Sequence, residues 1–470
     1  KNVLYEPIDD SLSISINGTW ESVETTGRTY AAIDARLQNK KSPAVIADVE
    51  RLLSAVGDPK APTNAPLLFM MMGLKLMFNV VKTSAIATSF APVGKLATED
   101  GTNPGTATTT SLSDPPARYA QRGLNSDQAT INGRVTKMKN EKVPHKDVKQ
   151  WAYQFVTSLV AKTRVGSPVS VDDVRKQQSS TQQKARFSQA EVTLGTRVKN
   201  TLKSFIKAEP YATVTDPRNI TTMAPELTVM MSCYTMAFKD MVLKPLNWFG
   251  PGKTPKQAIK RMSELGMDAD SWLCTDYSRL DGTVSKWLQD NIVRAAYMRW
   301  VRDEYKPELK HLIDQVFIQS AKTENGMSFC PGYGTRSGSP ITTDGNTMVC
   351  AFVCYATYRR MGYNHSNAMK KISLVYGDDG VTPNEEGLEE ALKSVCKEVG
   401  LTIKVDVVPK GEPVPYLGRF FVDPTTTSDS FQDPVRTISK LHLTSNKSVK
   451  PEQAAANKAA GYLVTDSLTP

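Results

Sequence analysis

Two short apolar runs that stop on aspartate constrain this chain more than any other feature. Trp272-Leu273-Cys274-Thr275 runs into Asp276, and Ile372-Ser373-Leu374-Val375-Tyr376 runs into Gly377-Asp378-Asp379. Apolar runs of this length read as buried strands. A tight turn at Gly377, which tolerates backbone angles other residues avoid, puts two adjacent carboxylates at a hairpin tip. Asp-Asp alone is usually a solvated turn; the apolar strand that delivers this pair sets it apart. Hard divalent cations take oxygen ligands, usually one or two carboxylates plus substrate phosphates. Two such ions can clamp the attacking and leaving oxygens of a phosphoryl displacement. Asp276 beside Asp378 on neighbouring strands would supply that clamp. The competing reading is a helix N-cap for one aspartate and a surface role for the other.

The surroundings of these runs alternate. Met348–Met361 carries Val349, Phe352, Val353 and Ala356 at helical period, with Gly362 as the stop, and Leu388–Val399 is a second helix closed by Gly400. Strand, helix, strand, helix, strand is an α+β arrangement. At 470 residues the chain is too long for one simple domain. Boundaries fall near 120, 265 and 425. Gly101–Pro116 is rich in Gly, Thr and Pro and reads as an exposed loop; Arg175–Lys184 is polar throughout, either a loop or a solvated helix.

Lys and Arg outnumber Asp and Glu by 58 to 48, a net charge of +10, which attracts polyanions. The six cysteines contain no C-x-x-C and the four histidines are scattered, which argues against zinc and for reduced thiols. Ala65–Val81 is interrupted by Lys75 and falls short of the roughly 20 apolar residues of a spanning helix, so a buried or surface-lying helix is expected. The chain starts on Lys1 and reads as a fragment of something longer. Gly252-Lys253-Thr254 lacks the glycine a phosphate-binding P-loop needs, because position 247 is Asn247.

Three further constellations accompany the aspartates. Asp281 follows Asp276 by five residues in DYSRLDGT. Ser337-Gly338-Ser339-Pro340-Ile341-Thr342-Thr343-Asp344-Gly345-Asn346-Thr347 reads as a glycine-rich loop feeding the Met348 helix. The bland alternative is a capped helix start, with Asn346 or Thr347 as the cap. Lys199, Lys203 and Lys207 recur every fourth residue and share one face if that stretch is helical, and Glu209 and Arg218 follow. A positive stripe suits triphosphate and nucleic-acid backbone, although charge runs are usually solvated faces.

In this order and spacing, the pieces resemble the motifs of positive-strand RNA virus RNA-dependent RNA polymerases. Asp276 and Asp281 are similar to motif A; Ser337, Gly338, Thr342 and Asn346 to motif B; Tyr376 to Asp379 to motif C. FIKAEPY with Arg218 resembles motif F, EVGLTIKVD motif D, and Tyr416-Leu417-Gly418-Arg419-Phe420-Phe421 motif E. The likeness covers about residues 199–425, and its wording is nearest the polymerase region of nodavirus replicases.

The resemblance implies an α+β right-hand fold of fingers, palm and thumb, with an antiparallel palm sheet flanked by helices. On that reading 1–120 is an N-terminal extension and linker, 121–265 fingers, 266–425 palm with inserted fingers elements, and 426–470 a small or incomplete thumb. Asp276, Asp378 and Asp379 would hold two Mg²⁺ (or Mn²⁺) ions. Asp281, Ser337, Thr342, Asn346, Lys207 and Arg218 would bind the incoming ribonucleotide. Lys199, Lys203, Gly338 and Arg419 would contact RNA. A motif D lysine would protonate pyrophosphate; Lys404 and Lys410 are both candidates, with Lys410 preferred for its loop position. The implied partners are RNA template and nascent strand, ribonucleoside triphosphates, other parts of a larger viral replicase and, as an open option, a second copy of the chain. Membrane association would come through regions outside the chain, placing it in replication complexes on host cytoplasmic organelle membranes, mitochondrial for a nodavirus. A reverse transcriptase also carries Y-x-D-D but would place a bulky aromatic where Asp281 stands. A non-catalytic RNA-binding or scaffolding protein fits the basic surface but not the three carboxylates, which weaken phosphate binding unless metals neutralise them.

Overall fold

The computed structural model describes residues 2–6, 10–15, 22–39, 42–72, 79–80, 106–109, 117–120, 123–178, 181–196, 198–207, 209–211, 215–440 and 451–466. Its centre is a four-stranded antiparallel sheet in the order Leu374–Tyr376, Asp379–Pro383, Ser271–Tyr277, Ile403–Pro409. Period-2 alternation along Ser271–Tyr277 explains why the sheet is covered on both faces. Leu273 and Tyr277 join the main core, which also contains the buried side of Leu388–Val399 and most of Thr342–Arg360. Trp272 and Cys274 point the other way, into a smaller core with Ile259 and Met262 of the Pro255–Gly266 helix and with Val414, Tyr416 and Phe421. Full burial of a large apolar side chain contributes about 1.5–3 kcal/mol. Neither face of this sheet is therefore free to slip by one residue.

The Thr342–Arg360 helix is buried at every residue from Asp344 to Tyr358. Such a helix sits inside the core rather than on it. It starts earlier than its apolar period indicates: Thr342 to Thr347, expected as loop or cap, form its first turns. Polar residues are tolerated there because each has a tertiary partner, described below. The two glycine stops fall where expected, with Gly362 at φ +94° and Gly400 at φ +80°.

A second sheet runs Ser328–Phe329, Ala321–Thr323, Leu202–Ile206, Asn219–Thr222. The helical reading of Lys199, Lys203 and Lys207 is corrected here. Leu202, Ser204 and Ile206 are buried and alternate with exposed Lys203, so the segment is a strand with Lys199 before it and Lys207 after it.

The N-terminal residues have a core of their own, and the Pro451–Asp466 helix packs against their sheet. Strands Asn2–Glu6, Ser11–Ser15, Ser22–Thr26 and Asn79–Val80 make one sheet, packed with three helices over a core that includes Leu12, Ile14, Val23, Leu53 and Leu68. The apolar stretch from Ala65 contributes to that core through the Ala61–Met72 helix; positions 73–78 and 81 lie outside the described residues. Among the described residues no helix is long and apolar enough to cross a membrane. Within 101–116 the loop reading fails at Thr106–Thr109, a strand paired with Ala117–Ala120; the rest of that segment lies outside the described residues. In the 175–184 stretch, 175–176 end the helix Val171–Lys176 and 181–184 begin the helix Thr181–Glu191, while 179–180 lie outside the described residues. All six cysteines are free, and five of them are buried.

Candidate active site

The aspartates meet through strand register. Asp276 lies directly opposite Asp379 on one side and opposite Lys404 on the other. Residues directly opposite in a sheet share a face. Asp379, Asp276 and Lys404 therefore form a row across three strands, with Asp378 at the turn beside them. Gly377 takes φ +60°, the left-handed conformation that the turn requires. Its amide donates to Thr347 Oγ1 at 2.9 Å, which ties the hairpin tip to the buried helix.

Crowded carboxylates disfavour one another's charge. Burial first, then repulsion from Asp378 and Asp276, pushes the Asp379 carboxyl up to about 6. Burial and Asp378 also raise Asp276, while Lys404 pulls it back. Among the described residues no three His, Cys, Asp or Glu side chains are arranged to hold a metal ion as they stand. The donor set nevertheless fits one: the oxygens are hard and anionic, and their mutual repulsion is what a divalent cation would relieve.

These groups form one wall of a cleft of about 790 Å³. In its side, Asn346 Nδ2 donates to Asp281 Oδ1 at 2.7 Å, and Asn346 Oδ1 accepts from Thr335 Oγ1 at 2.9 Å. Thr335 N also donates to the Asp281 carbonyl at 2.6 Å. Burial raises the Asp281 carboxyl, and the Asn346 hydrogen bond opposes it. Ser337 Oγ donates to Asn219 O at 2.8 Å, and Thr342 Oγ1 lies 2.5 Å from Arg336 O and 2.8 Å from Ser339 O. Buried Arg336 staples the loop by donating to the carbonyls of Val316, Pro331, Gly332 and Gly334.

The lining of the same cleft is also cationic. Lys207 Nζ stands 2.9 Å from Glu209 Oε2, and Arg218 Nε is 3.6 Å from Glu209 Oε1. Both cations remain about half exposed to the cleft, at 41% and 54%. Two arginines join them, Arg134 from outside every motif and Arg279 from within the DYSRLDGT stretch. Arg134 donates twice to Asp216 O, at 3.0 and 2.8 Å; Arg279, at φ +53°, donates to Gly133 O at 2.7 Å and pairs with Asp216 at 3.3 Å.

With this geometry established, the comparisons with known proteins are specific. The family described as viral RNA-dependent RNA polymerase matches residues 211–446. The chain belongs to this family. It is 51% identical over 473 residues to an RNA-directed RNA polymerase of Pariacoto virus, covering 100% of this chain and 48% of that one. It is 40% identical to that of Pieris rapae virus, with 100% and 47% covered, and 32% identical to that of Macrobrachium rosenbergii nodavirus, with 73% and 33% covered. The chain thus spans about half the length of the first two relatives. A crystal structure of the RNA-dependent RNA polymerase of a human picorbirnavirus superposes with a TM-score of 0.58 at 14% identity, covering 76% of this chain and 73% of that one. That likeness carries the right-hand polymerase fold.

The structure brings together most of the expected polymerase site but not all of it. Asp276, Asp281, Asp378, Asp379, Lys207, Arg218, Ser337, Thr342 and Asn346 line the one cleft. Lys404 lines it too, whereas Lys410 does not: its Nζ donates to Met267 O at 3.0 Å, away from the carboxylates. Arg419, expected on RNA, is largely buried and bonded to Asp466 at 2.8 Å and to Ser430, so its guanidinium braces the C-terminal helix. Gly338 is a packing glycine. Its amide donates to Thr221 O at 3.1 Å, and a Cβ there would come within 2.4 Å of Thr222 Cγ2. Lys199 and Lys203 stand outside the cleft. Sequence reasoning gave no site role to Thr335, Thr347, Arg134, Arg279 or Arg336; Thr347, a cap candidate next to Asn346, and Arg279, between Asp276 and Asp281, carried a local signal in their position.

Proposed function

We propose that this chain carries out template-directed RNA synthesis, adding ribonucleotides to an RNA 3′ end with release of pyrophosphate, in replication and transcription of a viral genome. The observation that carries the reading is that the row Asp379, Asp276 and Lys404, the Asp281–Asn346 pair and the cations Lys207 and Arg218 line one cleft. Carboxylates and cations in one cleft suit a substrate that is itself a metal-bound polyphosphate. Asp276, Asp378 and Asp379 would hold Mg²⁺ or Mn²⁺, which when bound supplies Lewis acidity at the reacting phosphate. The test is template dependence: changing one template base should change which ribonucleotide the purified chain adds. Addition that ignores the template would overturn the reading.

The side chains divide the remaining work. Asp281 and Asn346 would bond the ribose 2′-hydroxyl, with Thr335 orienting the amide. A site built to bond a hydroxyl rejects the analogue that lacks it, since its own polar groups are then left unpaired. Asn346→Ala should narrow the ribo-over-deoxy preference by about tenfold or more, measured as a ratio of kcat/KM values. An unchanged ratio would remove Asn346 from sugar selection. Lys207 and Arg218 would take the triphosphate, exchanging Glu209 for phosphate oxygens. Lys207→Ala should raise the nucleotide KM by about 10–100-fold, the worth of a charge-assisted hydrogen bond. A change confined to template affinity would move Lys207 to the RNA track.

The assignment of 266–425 as palm, 121–265 as fingers and 426–470 as a small thumb belongs to the same proposal, supported by the carboxylates lying within the first of these segments. So do partners in a larger replicase, a second copy of the chain, and membrane-associated replication complexes in the host cytoplasm, on mitochondria for a nodavirus. These rest on the family likeness.

A further inference from the structure

The first turn of the Thr342–Arg360 helix holds a charge that the cleft does not use. Asp344 is 0% exposed, and its carboxylate oxygens accept no hydrogen bond among the described residues. Its counterion is Lys239, whose Nζ stands 3.3 Å from Oδ1. Lys239 opens the π-helical turn Lys239–Leu243, which continues the Pro225–Phe238 helix. The charged and titratable groups around Asp344 are Lys239, Lys244 and Asp240 from that element and Tyr297 from the Ala295–Trp300 helix. The Tyr297 hydroxyl is buried without a hydrogen-bond partner among the described residues. Val293 packs against neighbouring Gly345.

Burial pushes the Asp344 carboxyl up to about 6 although Lys239 pulls it down. Desolvation outweighs attraction, so this ion pair does not earn its place by stabilising the fold. Its location supplies another reason. Thr343, one residue before it, and Asn346, two after it, both line the cleft. Residues two apart on a helix point to nearly opposite sides. An anchor on the Asp344 side therefore sets the rotation of the turn that presents Asn346.

We propose that Asp344, gripped by Lys239, is a positioning residue that fixes the first turn of this helix and thereby the Asn346–Asp281 pair. The inference rests on the sugar-reading role proposed above for that pair, and it deepens that role. The ion pair joins the helix start to an element on the far side of the cleft wall, so the turn cannot rotate without separating two charges. Burial of an ionised carboxyl also makes the grip sensitive to protonation: as pH falls through about 6, Asp344 loses its charge and Lys239 its partner.

Asp344→Asn keeps the shape and removes the charge. Hydrogen exchange in the peptide covering 342–350, corrected for intrinsic rates, should rise about tenfold at pH 7.5, the size of effect expected from one coupling residue. The ribo-over-deoxy ratio should fall by a similar factor, about tenfold. In the unsubstituted chain that ratio should decline below pH 6; in the variant the decline should be smaller, leaving only the part that the raised carboxyl of Asp281 itself contributes. The Tm at neutral pH should hold or rise, because a costly buried charge is gone. The double variant Asp344→Leu, Lys239→Met should fold and show the same loss of sugar preference. Unchanged exchange and ratio in Asp344→Asn would overturn the proposal. So would a lower Tm with equal losses on both sugars, which marks a purely structural role. Exchange needs no turnover: an unsubstituted chain that adds neither sugar would sink the functional reading, and exchange would still decide whether Asp344 holds the turn.

Discussion

Asp276→Asn and Asp378→Asn should each slow nucleotide addition by on the order of 10³-fold or more, since metal-borne charge stabilisation is worth several kcal/mol and each 1.36 kcal/mol is tenfold. The loss should sit in kcat. Stability should move the other way. Asp379 has its folded-state carboxyl raised to about 6 and Asp276 is raised as well. A carboxyl raised on folding contributes stability that is fully present below its unfolded value and is lost as pH rises through the folded one. At pH 7.5 without divalent ions these ionised carboxylates strain the fold, so Asp276→Asn and Asp379→Asn should raise the Tm. The difference should vanish in acid, once every carboxyl is protonated. Mn²⁺ should raise the Tm of the unsubstituted chain and do so less for either variant, because binding to the folded state alone stabilises it. A variant that loses activity together with several degrees of Tm at pH 7.5 would show that the aspartate was holding structure.

Lys404→Leu should cut kcat by about 10²–10⁴-fold, the usual contribution of a general acid, with little change in nucleotide KM. Lys404 is the lysine that register delivers to Asp276, and it lines the cleft. Lys404→Arg separates two roles, since a guanidinium keeps the positive charge but does not give up its proton. It should stay slow if proton donation matters and recover if charge alone does. Lys410→Leu should leave kcat within about twofold, as befits an exposed side chain bonded to a remote carbonyl. Single-turnover rates in which Lys410→Leu is the slower variant would return the role to Lys410.

The choice between those lysines shows where sequence reading stopped. Lys404 and Lys410 both follow the helix that ends at Gly400, and the local signal, a loop position, favours Lys410. What favours Lys404 is its pairing with Asp276, a contact between residues 128 positions apart. The aspartates themselves were legible because their strands are short and apolar and their turn needs glycine, all local signals. The helix stops at Gly362 and Gly400 were legible for the same reason. The stripe of Lys199, Lys203 and Lys207 misled because a spacing of four shares a face both in a helix and in a strand, where the period is two. Thr342 to Thr347 misled because they are polar, yet Asn346 spends its amide on Asp281 and Thr335, and Thr347 its hydroxyl on Gly377. Arg134 lies in no motif, and Arg279 lies in DYSRLDGT with no local sign of its role. They reach the cleft through carbonyls of Asp216 and Gly133 that only the fold brings near. Arg419 is the opposite case: it sits within a motif, but its cation is taken by Asp466, a partner near the far end of the chain.

This one cleft should transfer nucleotidyl groups to an RNA end. The most direct measurement is single-nucleotide extension of a primed RNA template by the purified chain in Mg²⁺ or Mn²⁺, with primer length and pyrophosphate followed together. One pyrophosphate should be released for each templated ribonucleotide added, with both signals lost in Asp378→Asn. Extension that survives in Asp378→Asn, or pyrophosphate released without extension, would rule out this assignment of the cleft.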